Sequence, residues 1–309
     1  MERKESTYLP LSARKGKIPY TLRNDYLFKV VLESDEDILH SLLCSLLFLK
    51  KDDILSARVT NPILPGEAID FKTVILDIRL ILNDKSVLNL EMQNLDKGDW
   101  PERSLVYLCR TFDHIKKGEA SYRNVMPAHH ISILDFSLPH LSKEFYSHFY
   151  MMNPKTYEIY SDKLCLSVLN LKHGKLATAE EKRHGLDKWA RAFLADTWEE
   201  FQMLASENTD FKKVADSVYK VLADEGQREA CRRYEEQRAE MEQALRQIDE
   251  QKETIREQNE TIQEQGETIQ EQGETIQEQS TELQKAKLKL QEKDALIEKL
   301  KKDLDELKK

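Results

Sequence analysis

The sequence predicts an α/β protein in which a mixed β-sheet is flanked by helices and followed by a helical region and a C-terminal coiled coil. Three observations lead to this fold class. Residues 74–93 alternate apolar and polar side chains on both sides of a short polar turn, as two paired strands do. Helical periodicity surrounds this segment, and a further apolar strand follows at residues 129–136. Residues 237–309 place an apolar side chain at every seventh position.

Composition limits the classes of protein that the chain can be. Its 309 residues correspond to one or two domains, and the net charge of −9 argues against nucleic-acid binding over the whole surface. A local basic groove stays possible. We expect neither a membrane span nor a secretory signal, because no run of about 18 apolar residues occurs and the first residues are polar. These features predict a cytoplasmic protein.

Four cysteines lie far apart in the sequence and lack the Cys-x-x-Cys spacing of zinc sites: Cys44, Cys109, Cys165 and Cys231. We interpret them as small buried hydrophobic side chains in a reducing compartment, neither paired in disulfides nor bound to zinc.

The N-terminal 20 residues are polar and mildly basic, with Arg14, Lys15 and Lys17 close together. They predict a basic arm that is either flexible or in contact with phosphate groups. Residue 21 begins the predicted sheet-containing core, which extends to residue 137. Asn24 is a suitable N-cap for a helix through residue 33, and a second amphipathic helix follows over residues 35–49. Both helices are expected to cover the sheet.

An extended segment at residues 55–64 leads into the hairpin. If the apolar rows of both hairpin strands share one face, Leu80 pairs with Leu88, Ile78 with Leu90 and Leu76 with Met92. Residues 83–85 then form a three-residue loop.

The same register places Asp77 directly opposite Glu91. Opposed residues have Cβ atoms roughly 4.5–5.5 Å apart, where like charges are destabilising. A divalent cation held by carboxylate oxygens would compensate them. Gln93 points to the same side and could orient a water molecule or a phosphate oxygen. The alternative is an ordinary strand pair whose polar face is solvated.

Beyond the hairpin, capping signals predict a helix over residues 100–117. Arg103, Tyr107 and Arg110 fall on one side of it. This stripe is either solvated or a DNA-binding surface in which the arginines hold phosphates and Tyr107 packs on the backbone. His129 and His130, in the next predicted strand, point to opposite faces, and we interpret them as structural.

The region from residue 138 to residue 236 completes the domain. Its aromatic alternation predicts a second hairpin, with residues 157–160 pairing with residues 164–169. From residue 178 onward the pattern is helical, and Leu186, Trp189 and Phe193 are predicted core residues.

The tail, residues 237–309, contains five consecutive seven-residue repeats at residues 251–285. Its apolar heptad positions, a, are Met241, Ile248, Ile255, Ile262, Ile269, Ile276, Leu283, Leu290, Ile297 and Leu304. The d positions of the five repeats are all Gln, and Gly266 and Gly273 each cost about 1 kcal/mol relative to Ala. The tail is therefore predicted to be a weak coiled coil that makes the protein a homo-oligomer, and a solvated single helix or a partly disordered stalk is the alternative.

Several ordered motifs resemble one known family. Asp77, thirteen intervening residues and then Glu91-Met92-Gln93 resemble the Asp…Glu-x-Gln variant of the PD-(D/E)XK nuclease site. Around them, the segments at residues 24–29, 103–107, 117–122 and 131–136 are similar to the recombination-promoting nuclease (Rpn) branch of that superfamily. The resemblance covers roughly residues 20–235 and implies a restriction-endonuclease-like fold. Leu76 stands where the motif name has Pro, and Gln93 stands where Lys is more usual.

The resemblance also implies roles for individual residues. Asp77 and Glu91, with the Met92 carbonyl, would bind Mg²⁺, or Mn²⁺, and Gln93 would position the attacking water. Asp25 either approaches the metal from the first helix or is a first-turn acid favoured by the helix dipole. Arg103 would contact DNA.

Two functions follow as hypotheses. The first is a metal-dependent endonuclease that hydrolyses DNA phosphodiester bonds, linked by resemblance to recombination or mobile elements. The second is a non-catalytic, oligomeric DNA-binding or scaffold protein with a degenerate nuclease site. The intact Asp77, Glu91 and Gln93 argue against degeneration.

Overall fold

The computed structural model describes residues 9–61, 63–64, 74–75, 77–112 and 121–306. Contacts divide the chain into two units, Met1–Glu242 and Gln243–Lys309. The sheet and the candidate site belong to the first unit, and the second is the distal part of one long helix.

Eight strands are present in the described residues: β1 (Ala57–Thr60), β2 (Ile63–Leu64), β3 (Val74–Ile75), β4 (Ile78–Leu82), β5 (Ser86–Gln93), β6 (Ala128–Leu134), β7 (Tyr146–Met152) and β8 (Ile159–Asn170). Six of them form one sheet in the order β1-β4-β5-β6-β8-β7, and β2 pairs with β3 separately. The β5–β6 and β6–β8 pairs are parallel and the other pairs of the sheet are antiparallel. The predicted mixed sheet is therefore confirmed.

The helices of the described residues are α1 (Asp25–Ser34), α2 (Glu36–Leu47), α3 (Trp100–Phe112), α4 (Ala179–Arg183), α5 (Leu186–Leu194), α6 (Trp198–Glu207), α7 (Asp210–Ala223) and α8 (Glu225–Glu306). The Asn24 side chain caps α1 by accepting the Leu27 N–H, as predicted. The predicted helix over residues 100–117 is present as far as residue 112, and residues 113–117 lie outside the described part.

The central hairpin has the register that the apolar pattern predicted. Leu80 lies opposite Leu88 and Ile78 opposite Leu90. Residues 83–85 form the loop, in which Asn83 and Asp84 have φ of 51° and 53°, a left-handed conformation that these residue types tolerate. Leu76 lies outside the described residues, so its predicted pairing with Met92 is not described.

The two faces of the sheet are covered by different helices. Apolar side chains of β4, β5 and β6 share one buried cluster with α1, α2, α5, α6 and α7. Trp189 and Phe193 are almost fully buried in this cluster, which confirms their prediction as core residues. On the opposite face, α3 packs Trp100 against Leu134 and Val168. The same helix contacts β5, whose polar side chains Asn89 and Glu91 are almost fully buried, so the predicted alternative of a solvated polar face is wrong.

The second hairpin differs from its prediction. The antiparallel partner of β8 is β7, so residues 146–152 occupy the position that was predicted for residues 157–160. Ile159 and Tyr160 instead begin β8. Most side chains of β7 are exposed because it is the edge strand of the sheet. Its sequence therefore lacks the regular alternation of apolar and polar residues that burial of one face produces.

The N-terminal segment from residue 9 onward is packed, so the prediction of a flexible arm is wrong for these residues, whereas contact of the exposed Lys15 and Lys17 with phosphate stays a prediction. Arg14 is 2% exposed and forms a salt bridge with Asp216 at 2.8 Å. Its guanidinium lies 4.1 Å from the ring centroid of Tyr219 and 5.3 Å from that of Trp198. A planar cation that stacks on aromatic rings is well suited to this position.

We expect Arg14→Ala to lower the free energy of unfolding by about 3 kcal/mol, because it leaves Asp216 without its buried partner and opens a cavity beside the two rings. Lys15→Ala is the matched control, since Lys15 is exposed, and its effect should stay within about 0.5 kcal/mol. Urea unfolding of both variants measures the difference. Equal stabilities would show that the arm contributes little to the fold.

All four cysteines are free thiols. Cys165 and Cys231 are buried, as predicted, whereas Cys44 is half-buried and Cys109 is exposed on α3, so the prediction of burial is wrong for Cys109. Among the described residues, no helix combines the length and the hydrophobicity needed to cross a lipid bilayer.

The distal part of α8 is a continuous helix through the heptad repeats. Its a-position side chains are exposed in the single chain, with Ile255 at 55%, Ile262 at 64% and Ile269 at 67%. The helical conformation is as predicted, and the coiled-coil partner stays a prediction.

Candidate active site

Asp77 and Glu91 meet at the open end of the central hairpin. Asp77 directly precedes β4, and its backbone N–H donates to Glu91 Oε1 at 3.0 Å. In return, the Met92 N–H donates to Asp77 Oδ2 at 2.8 Å. The structure therefore brings together the two acids that the strand register placed opposite each other.

Glu91 lies in a buried polar chain beneath α3. It is 1% exposed, and Asn89 Nδ2 donates to its Oε1 at 3.1 Å. The same amide nitrogen lies 2.9 Å from His130 Nδ1, and since an amide nitrogen is only a donor, the imidazole accepts. Burial lowers the pKa of His130 to about 3, so the ring is neutral. Asn89 and His130 therefore fix the orientation of the Glu91 carboxylate.

Asp25 is the third carboxylate of the site. It is the first residue of α1, and its Oδ1 is buried without a hydrogen-bond partner among the described residues. Its charge raises the pKa of both Asp77 and Glu91. The helix dipole explains an acid at this position, but it does not explain a buried oxygen without a partner, which is costly unless another group binds it.

The electrostatics of the three acids favour protonation in the absence of a cation. Burial raises the pKa of Asp77 well above its ordinary value, and the neighbouring charge of Glu91 raises it further. Burial also raises the pKa of Glu91 to about 8 and that of Asp25 to about 6. No Lys or Arg in the described part of the chain forms a salt bridge with any of the three.

The positive charge of Arg103 lowers the pKa of all three acids. Arg103 lies on α3 with its guanidinium 5.1 Å from the ring centroid of Trp100 and 5.5 Å from that of Tyr107. Its Nη2 also donates to the Tyr107 hydroxyl at 3.1 Å. Arg110 lies seven residues further along α3, about 10 Å away. The predicted stripe therefore has one end at the acids.

Gln93 ends β5 on the same face as Glu91, two residues further along the strand. It is half-buried, and its backbone carbonyl accepts the Asp135 N–H at 2.9 Å. Among the described residues no side-chain hydrogen bond holds its amide. The amide is therefore available to a water molecule or a phosphate oxygen.

The first turns of α8 also reach the site, which the sequence did not predict. Asn24 Nδ2 donates to the Cys231 carbonyl at 3.0 Å and to Glu235 Oε1 at 3.1 Å. A hydrogen bond from Tyr234 lowers the pKa of Asp25 and so counteracts part of the effect of burial. Tyr234 carried no detectable signal because it precedes the heptad repeat and belongs to no motif.

If Asp25 binds a divalent metal, we expect Tyr234→Phe to lower the affinity for that metal by about tenfold, because the hydrogen bond that orients the Asp25 carboxylate is lost. Tyr122→Phe is the matched control, because Tyr122 is exposed. The Mg²⁺ concentration for half-maximal DNA nicking, measured beside the thermal midpoint, tests this. An unchanged Mg²⁺ requirement in Tyr234→Phe would contradict a role in positioning Asp25.

The residues present fit a divalent cation of the hard class. Three carboxylates surround the site, one with a buried oxygen that lacks a partner. The Met92 N–H points at Asp77, and since the N–H and C=O of one strand residue point to the same side, the Met92 carbonyl also faces this space. The ligand oxygens of the three carboxylates do not all lie within 4.8 Å of one another. Carboxylate and carbonyl oxygens are the ligands that Mg²⁺ prefers, and Mg²⁺ usually keeps several of its waters.

The mixed sheet, with an acid before one hairpin strand and a second acid within the other, defines an α/β protein of the PD-(D/E)XK type. Over residues 22–248 the chain matches the model of a family described as PD-(D/E)XK nuclease family transposase, and it belongs to that family. No curated protein and no solved structure matches the chain. Membership indicates a function related to nucleases or transposases.

Proposed function

We propose that this protein is a metal-dependent endonuclease that hydrolyses phosphodiester bonds in DNA. One observation carries the proposal: the half-buried Asp77 and the almost fully buried Glu91 face each other, with no basic side chain of the described residues paired to either. Two opposed buried carboxylates are unfavourable in a purely structural role. A site that binds a cation accounts for them, and the family supports hydrolysis of DNA.

Each residue of the site has a part in the proposed reaction. Asp77, Glu91 and the Met92 carbonyl would hold Mg²⁺, with Mn²⁺ as a substitute, and Asp25 would complete the set. When bound, the cation would neutralise charge on the scissile phosphate and acidify a water. Gln93 would orient that water through its amide.

Arg103 would bind a phosphate of the DNA beside the scissile group, with its guanidinium held against Trp100 and Tyr107. Tyr107 would pack on the DNA backbone, and Arg110 would bind a second phosphate further along α3. A role in recombination or in mobile elements, a homo-oligomer joined by the tail and a cytoplasmic location complete the proposal.

The test is nicking of a supercoiled plasmid with Mg²⁺. We expect Asp77→Asn to lower the rate roughly 10³-fold, because metal-ion catalysis supplies several kcal/mol of transition-state stabilisation. Asp84→Asn, in the exposed hairpin loop, is the matched control and should keep full activity. EDTA should abolish nicking and Ca²⁺ should not restore it.

Equal nicking by the parent and Asp77→Asn would reveal contamination and remove the proposal. A parent protein that binds DNA but never nicks it would favour the alternative, a non-catalytic oligomeric DNA-binding or scaffold protein. In that case, no preparation would yield a nicked product whose ends could be mapped.

A further inference from the structure

A second group of metal-ligating side chains lies on the face of the sheet opposite the carboxylates. It consists of His129 on β6, His148 on β7 and Cys165 on β8, and we call it the histidine–cysteine cluster. In the strand register, His129 lies beside Cys165 and His148 lies beside Ser167. Because alternate residues of a strand share a face, Cys165 and Ser167 point the same way and all four side chains converge.

The donor atoms of the cluster surround a single point. One ligand atom from each of the three residues lies within 4.8 Å of the others. At their centre, the Ser167 hydroxyl lies 2.7 Å from His129 Nε2 and 2.8 Å from His148 Nδ1. The same hydroxyl lies 3.8 Å from Cys165 Sγ. Two imidazole nitrogens and one sulfur therefore share a common neighbour.

Exposure changes across the cluster in a way that allows an ion to enter. Cys165 and Ser167 are buried, His129 is half-buried and His148 is exposed. A site with one exposed ligand and two more enclosed ones has an entry path from solvent, which a functional metal site requires.

We propose that His129, His148 and Cys165 form a transition-metal site, best suited to Zn²⁺, that is separate from the carboxylate site. Imidazole nitrogen and thiolate sulfur are ligands that Zn²⁺ prefers, whereas Mg²⁺ prefers oxygen. Three protein ligands leave a fourth position of the tetrahedron open to water. The site thus has the composition of an open zinc site.

Binding requires a small rearrangement in which Ser167 is the main obstacle. Zinc–nitrogen bonds of about 2.0 Å and zinc–sulfur bonds of about 2.3 Å are shorter than the present distances to the hydroxyl. The hydroxyl must rotate to another rotamer, and the three ligands must then close around the ion. Cys165 loses its proton to solvent in the process, because the thiolate is the ligand. Removing the hydroxyl should therefore favour binding.

The experiment uses the full-length chain, freed of metal and titrated with Co²⁺, whose bond to a thiolate gives a charge-transfer absorption, and then with Zn²⁺ as competitor. We expect one Co²⁺ per chain with this absorption in the parent, unaffected by millimolar Mg²⁺. Ser167→Ala should bind about tenfold more tightly, since two competing hydrogen bonds are lost. His148→Ala, at an exposed position that does not threaten folding, should weaken binding, and Cys165→Ala should abolish the absorption.

Cys109→Ala is the matched control, because Cys109 is exposed and outside the cluster. Absorption that is absent from both the parent and Ser167→Ala would overturn the proposal. Absorption that persists in Cys165→Ala would do the same, because the metal would then lie elsewhere. Nicking activity does not enter this test, so its outcome is independent of the proposed nuclease function.

Discussion

Glu91→Gln is expected to abolish nicking and at the same time to raise the free energy of unfolding of the metal-free protein at pH 8. Glu91 has a pKa of about 8 in the folded protein, raised by burial from an ordinary value of 4.5. Between these two values, the folded chain holds a proton that the unfolded chain has released. Stability therefore falls as the pH rises from about 4.5 to about 8.

Glutamine removes this penalty because its side chain does not titrate and has nearly the same shape. Its amide oxygen can still accept from Asn89 Nδ2 and from the Asp77 N–H, the two donors that now bond Glu91 Oε1. Catalysis is lost because a neutral amide is a poor ligand for Mg²⁺. Activity and stability are thus expected to change in opposite directions.

Urea unfolding in EDTA across pH 5–8 measures the effect. The free energy of unfolding of the parent should fall relative to that of Glu91→Gln over this window. The other shifted groups, among them Asp77, Asp25 and His130, contribute to the pH dependence of both proteins. Glu102→Gln is the matched control, since Glu102 is exposed on α3. Added Mg²⁺ should stabilise the parent at pH 8 more than the variant, because only the parent binds it well. Identical pH profiles would contradict the burial of an uncompensated Glu91.

The sequence predicted the hairpin and its facing acids because one face of the hairpin is buried in apolar contacts. A slip of one residue would turn Leu80 and Leu88 to the wrong side, so the apolar rows alone determine the register. From the register, the meeting of Asp77 and Glu91 followed without further information. This part of the site is encoded locally.

The environment of the acids is tertiary and was not predictable from the same pattern. Polar residues such as Asn89 and His130 look solvated in the sequence, yet both are fully buried because α3 packs over them. Tyr234 reaches Asp25 from a helix that lies 200 residues further along the chain. Spacing along the chain likewise concealed Cys165, which only the β6–β8 register brings beside His129. Helix packing and strand order carry this information, and a single sequence shows neither.

The heptad tail is expected to make the full-length protein an oligomer at micromolar concentration. A single helix leaves Ile262 64% exposed, Ile269 67% exposed and Ile276 65% exposed, all along one stripe. Burying these side chains between helices favours association at about 25 cal/mol for each Å² of apolar surface removed from water. Gln at the d positions weakens the seam without removing it.

Ile269→Lys combined with Ile276→Lys should shift the protein to a monomer, because two charges would then lie within the seam. Gln270→Lys combined with Gln277→Lys adds the same charge outside the a and d positions and should leave the mass unchanged. Sedimentation equilibrium of the full chain distinguishes the two. A monomeric parent, or identical masses for both variants, would favour a solvated single helix.

Gly266 and Gly273 lie within the repeat, and a Cβ at either position meets no atom within 4 Å. Gly266→Ala combined with Gly273→Ala should therefore stabilise the helix by about 1 kcal/mol at each position in every chain. Because association requires an ordered helix in each partner, the double variant should form the oligomer at lower concentration. If the tail were a solvated single helix, the same variant would gain helicity without any change in mass.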